Sequence, residues 1–96
     1  MYLGALELDI LLGDVHSLKE KRSYIRPVLA ELRRFGVSVA ETGEHDLYRR
    51  STLAVAVVAP DFAHVRDILD ICERLVAQRP ELDLLSTRRR LFGPED

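Results

Sequence analysis

Cysteine occurs once in this chain, glutamine once and asparagine not at all, and no apolar run comes near the length of a membrane span. A lone Cys72 excludes an internal disulfide and any Cys-x-x-Cys metal loop. A spanning helix needs ~18 or more consecutive apolar residues, and the layout of a signal peptide is missing too. The chain is therefore expected to be cytoplasmic, without membrane contact. Positive charge is also short: 14 basic against 16 acidic residues give a formal net charge of −2. That excludes bulk charge as the means of holding nucleic acid, so any basic site must be local. The lack of amide side chains, together with an excess of Arg over Lys, fits adaptation to heat. It fits a biased genomic base composition equally well.

What is present describes one globular domain. The chain has 96 residues, 47% of them apolar, with five Gly and four Pro, which is neither disordered nor multidomain in composition. Residues 1–92 are expected to form the domain and residues 93–96 a frayed tail. A chain of this length buries roughly 60–70% of its unfolded surface, so the core is small and stability gains from oligomerisation.

Leu6, Leu8, Ile10 and Leu12 alternate with Ala5, Glu7 and Asp9, the pattern of a strand covered on one face. Gly13-Asp14-Val15-His16 turns the chain into Ser17-Leu18-Lys19-Glu20, which fits a capping box: the Ser17 hydroxyl takes the N–H of Glu20, and the Glu20 carboxylate returns to that of Ser17. Apolar residues at Leu18, Ile25, Val28, Leu29, Leu32 and Phe35 then carry a helix to Gly36. Pro27 lies inside that pattern and predicts a kink or a split into two pieces. Val37 and Val39 mark a second strand running to about Glu41 or Thr42. Residues 53–59 read as a third strand, apolar on both faces and so in need of cover on both. Asp61 is placed to cap a second helix, whose apolar face is Phe62, Val65, Ile68, Leu69, Cys72, Leu75 and Val76. Leu82 and Leu84 open a fourth strand that passes into Thr87-Arg88-Arg89-Arg90.

The order β-α-β-β-α-β predicts an α+β, ferredoxin-like (split βαβ) sandwich, with a four-stranded antiparallel sheet and two helices on one of its faces. This architecture hosts many functions, so the residues must choose among them. Residues 5–9 and 53–59 contain no aromatic side chain, which removes the stacking platform of an RNA-recognition motif. His16, His45 and His64 lack close ligand spacing, and Cys72 stands at a core position, so no metal site is expected. The turn after the first strand has neither the glycine density of a phosphate nest nor a free positive field, because Asp14 sits in it. Glu7 and Asp9, two apart on one strand face, could do acid–base chemistry, but a solvated face or an interface explains them better. No nucleophile has an evident base partner. The expectation is a non-enzymatic protein with no catalytic residue and no cofactor.

The basic residues say more. At about 100° per residue, Lys19, Arg22, Arg26 and Arg33 fall within about 60° of each other on the first helix, beside its apolar face. This stripe is the candidate polyanion site, with structured RNA or the ribosome as the expected partner. Arg49-Arg50 and Arg88-Arg89-Arg90 either extend it or lie elsewhere, and acids such as Glu31, Glu44, Asp70 and Glu73 are available to neutralise them. The alternative is a ligand-sensing domain that binds a small molecule near Gly13 to Ser17 or at a subunit interface. A homo-oligomer, simplest as a dimer, is expected through Ala54, Ala56 and Val58, bordered by Glu7 and Asp9, with Arg88 or Arg90 of the other copy as partners for the acids.

Three stretches together resemble a known family: His16-Ser17-Leu18-Lys19-Glu20-Lys21-Arg22, Val37-Ser38-Val39-Ala40-Glu41, and Leu53-Ala54-Val55-Ala56-Val57-Val58 followed by Asp61. The chain is similar over nearly its whole length to the YlxP-like proteins, small bacterial proteins of unassigned function. The resemblance implies a ferredoxin-like fold and no established activity. It also implies, through the genes that often neighbour the family, an association with translation and ribosome maturation.

Overall fold

Four leucine and isoleucine side chains at every second position leave the first strand only one way to face. In the computed structural model, which describes residues 1–96, β1 (Tyr2–Leu12) turns Leu6, Leu8, Ile10 and Leu12 into the core. The remaining elements are α1 (Leu18–Arg33), β2 (Ser38–Gly43), β3 (Arg50–Ala59), α2 (Phe62–Ala77) and β4 (Leu82–Phe92). The strands form one antiparallel sheet in the order β2-β3-β1-β4. Both helices pack on the face that carries Leu6, Leu8, Val39, Leu53, Val55 and Val57. The fold is the ferredoxin-like α+β sandwich.

Register sorts the side chains into two layers. On the helix side, β1 and β3 contribute most of the sheet's share of the core, and α2 closes it with Val65, Leu69, Cys72 and Val76. α2 lies over β1, β3 and β4, whereas α1 lies over β2 and beside α2. Gly4 marks the tightest approach: a Cβ there would stand 2.5 Å from Val65 Cγ1 and 2.9 Å from Leu69 Cδ1. On the other side no element covers the sheet. There, cross-strand rows run Val58–Leu3–Phe92, then Ser38–Ala56–Ala5–Arg90, then Ala40–Ala54–Glu7–Arg88. The cover that β3 was expected to need on both faces is present on one only.

Several boundaries differ from the expectation. α1 is one helix from Leu18 to Arg33 with Pro27 inside it. Pro27 and Ser23 are both exposed, so the carbonyl that loses its N–H partner faces water and the helix is not divided. β3 starts earlier, at Arg50, because polar Arg50, Ser51 and Thr52 still find partners in β1 and β2. β4 continues through its arginines to Phe92, with Leu85 bulged out between the pairs Asp9–Ser86 and Ile10–Leu84. Separately, in residues 93–96 Gly93 N–H donates to Asp96 Oδ2 at 2.7 Å and Asp96 N–H to the Gly93 carbonyl at 3.1 Å.

Candidate functional site

α1 begins where the capping residue places it. Ser17 has extended backbone angles, and its hydroxyl accepts from the N–H of Glu20 at 3.1 Å. The reciprocal half of the capping box is not made: the N–H of Ser17 donates no bond to the Glu20 carboxylate, and separately the Glu20 backbone carbonyl accepts from Ser23 Oγ. Lys21, Ile25, Val28 and Leu32 form the buried face. Lys19, Arg22, Arg26 and Arg33 stand beside it, all exposed. None of the four takes part in an ion pair. Their side of the helix looks away from α2, because Glu31, on the opposite flank, is the residue that meets Arg79 beyond α2, at 2.8 Å. Arg22 lines a groove of about 220 Å³ with Leu18, Lys21, Ile25, Glu41 and His45, which puts the stripe along the outer, β2 edge of the sheet.

The other arginine clusters do not extend the stripe. Arg49 Nε donates to the carbonyls of Gly13 and Leu12, at 2.8 and 3.2 Å, and its own carbonyl accepts from Leu12 N–H. It closes the end of β1. Arg50 Nη2 donates to both oxygens of Asp9, at 2.9 and 2.8 Å. Asp9, expected to border a subunit interface, thus already has a guanidinium partner from the neighbouring strand of its own chain. Arg89 lies on the helix side and reaches Asp70 at 2.9 Å and Glu73 at 3.4 Å on α2. Arg79 Nε is 2.9 Å from Glu81 Oε1 as an ion pair, although its N–H is not aimed at that oxygen. Arg88 and Arg90, on β4, face the uncovered side of the sheet beside Glu7 and Ala5. They lie at the edge far from β2.

One residue central to this end of the molecule was missed. Lys21 is 3% exposed, and its Nζ donates to the carbonyls of Glu44 and Leu47, each at 2.7 Å, and lies 3.2 Å from Glu41 Oε2. That same carboxylate oxygen accepts from the buried Ser51 hydroxyl at 2.6 Å. Two of the ammonium's donors reach carbonyls and its charge faces the Glu41 carboxylate, so its burial is compensated. The loop it holds, residues 44–49, contains the one non-glycine residue with positive φ, Glu44 at 62°, and presents Leu47 and Tyr48 about half exposed. The spacing contained the signal: Lys21 precedes Ile25, Val28 and Leu32 by four, seven and eleven positions, which places it on the core face.

The remaining candidates are quiet. His16 pairs with Asp14 at 2.9 Å on an exposed turn, and His64 with Asp61 at 3.5 Å. Asp61 accepts the N–H of His64 at 2.8 Å as the cap of α2, and this bond holds its carboxyl below the ordinary 3.8. Cys72 is fully buried in the core, and desolvation pushes its thiol above the usual 9.0, which makes it a packing residue rather than a nucleophile. Residues 13–17 line none of four concavities of about 600, 170, 220 and 420 Å³. The largest, about 600 Å³ and open, lies on the uncovered face of the sheet over Ala5, Ala40, Ala54 and Ala56. No helix is long and apolar enough to cross a membrane.

Comparison with known proteins adds the following. The model of a family described as protein of unknown function (DUF503) matches residues 3–89. The uncharacterized protein YlxP of Bacillus subtilis (strain 168) is 28% identical over 91 residues, which cover 94% of this chain and 99% of that protein. Among solved structures, a de novo designed protein with a ferredoxin fold aligns with a TM-score of 0.57 at 15% identity, over 97% of this chain and 87% of that one. LarC2, the C-terminal domain of a cyclometallase involved in the synthesis of the NPN cofactor of lactate racemase, aligns with a TM-score of 0.53 at 17% identity. That alignment covers 96% of this chain and 55% of the other. At such identities the two structures speak for the shared fold alone.

Proposed function

The chain belongs to the DUF503 family of proteins of unknown function, and we propose that it is a cytoplasmic, non-enzymatic binding module that holds structured RNA, free or on the ribosome, along the basic side of α1. One observation carries the reading. In a protein whose net charge is −2, and whose Arg49, Arg50, Arg79 and Arg89 are engaged within the fold, Lys19, Arg22, Arg26 and Arg33 are left exposed and unpaired on one flank of one helix. Unpaired cations in a row suit a phosphate backbone, which they follow without reading bases. The uncovered sheet face carries Ala54, Ala56 and Val58 where base-stacking aromatics would stand, so recognition rests on shape and charge, as for duplex RNA.

The test is binding of a fluorescent RNA hairpin followed by anisotropy across a salt series. Four phosphate contacts on a duplex predict a slope of log K against log salt of about −3.6. Arg22→Glu with Arg26→Glu is expected to abolish binding while the far-UV circular dichroism stays native, because both side chains are exposed. Retained binding with an unchanged slope would reduce the stripe to a solvated face.

A further inference from the structure

The face of the sheet opposite the helices is the largest surface the fold leaves unexplained. An antiparallel sheet with one wet face ordinarily alternates apolar inward with polar outward. Here β3 does not: Leu53, Val55 and Val57 point to the core, yet Ala54, Ala56 and Val58 point to water, Val58 at 66% exposure. β1 adds Leu3 and Ala5, β2 adds Ala40 and β4 adds Phe92 on the same side. The patch is continuous and made mostly of small side chains that allow a second sheet to approach closely.

We propose that this face is the contact between two copies of the chain, packed sheet to sheet about a two-fold axis. The arrangement of rows argues for a second copy rather than a different partner. An axis parallel to the strands and midway between β1 and β3 lays the whole sheet on its counterpart. It sets Val58 on the partner's Leu3, and Ala56 on the partner's Ala5, and each contact occurs twice by symmetry. Glu7 then stands over the partner's Ala54, where a methyl group leaves it room to meet Arg88, its cross-strand neighbour. Both are unpaired in the single chain. Glu7 and Arg88 therefore neutralise each other on the β1–β4 side, Arg90 is left at the outer edge over the partner's Ser38, and apolar rows meet apolar rows. The size fits as well. Three strands of 10 or 11 residues and a shorter β2, at about 3.3 Å per residue and about 4.8 Å between strands, give about 600 Å² in projection. Side-chain relief raises the accessible area toward the ~800 Å² per partner of a standard stable interface.

This assembly is independent of the α1 reading, because α1 lies on the other side of the sheet. Sedimentation equilibrium of the full chain at micromolar concentration is expected to give twice the 10.9 kDa protomer mass, and the thermal midpoint is expected to rise with concentration. Val58→Asp would bury two carboxylates against the partner's leucines, and Ala56→Lys would force the rows apart. Each is expected to weaken dimerisation by at least about tenfold, so that the concentration dependence moves to at least about tenfold higher concentration, with native circular dichroism, because both positions are exposed in the single chain. A protomer mass for the unaltered protein across the concentration range would overturn the proposal. So would a dimer that survives both substitutions, since its contact would then lie elsewhere. Hairpin binding measured on the Val58→Asp protein reports on α1 separately.

Discussion

Asp61 is held in its charged form by the helix it starts. The N–H of His64 donates to its carboxylate, and the carboxyl titrates below the 3.8 of an unconstrained aspartate. A group whose folded pKa lies below its unfolded value stabilises the fold above the unfolded pKa and loses that contribution as pH falls through the folded one. Stability is therefore expected to decline from about pH 4 downward, and Asp61→Asn, which keeps the cap oxygen but cannot titrate, should flatten that part of the curve. Urea midpoints of the two proteins between pH 5 and pH 2 test this, and parallel curves would remove Asp61 from the acid response. Cys72 behaves oppositely. Its thiol is raised by desolvation in the core, so it contributes packing and little reactivity at neutral pH.

At the scale of the element, α2 and β1 meet across a glycine because nothing larger fits. The Cβ of an alanine at position 4 would come within 2.9 Å of both Val65 and Leu69 side chains, and overpacking of this kind costs about 1–3 kcal/mol. Gly4→Ala should lower the free energy of unfolding in urea by that amount, while Gly13→Ala, whose Cβ would meet only a backbone oxygen at 3.8 Å, should not. The strand and helix types were legible because their periodicities are clean: Leu6 to Leu12 at period two, Val65 to Val76 at helical spacing. The caps at Ser17 and Asp61 were legible because a hydroxyl or carboxylate three residues before a free N–H has one obvious use. The stripe on α1 was legible from angle alone. What escaped the sequence were long-range partners. Nothing local says that Arg50 will find Asp9 forty-one residues away, that Arg89 will turn to α2, or that Glu20 will leave Ser17 N–H alone. Angle places Pro27 on the wet side too, but nothing in a periodic pattern tells that the helix will run through it unbroken. Lys21 was the exception, since its spacing put it in the core and its charge argued against that place.

For the whole molecule, the two faces of one sheet divide the work. The helix side holds the core and, at the β2 edge, the free cations. The bare side is the one proposed to pair. Two copies joined there display their α1 helices on opposite outer surfaces, so a single RNA would have to wrap the dimer to touch both stripes, or two RNAs would bind one dimer. Between these surfaces the Lys21 ammonium joins α1 to the loop 44–49 through the carbonyls of Glu44 and Leu47. The loop is held from inside rather than from its tip. Exchange of its amide protons with deuterium should therefore not proceed at the rate of a free surface loop. It should follow the opening of the first turn of α1, so that loop and turn exchange together as one cooperative unit. Lys21→Met should uncouple them and leave the loop alone in the fast class. Loop amides already fast in the unaltered protein would mean that the buried ammonium anchors only itself.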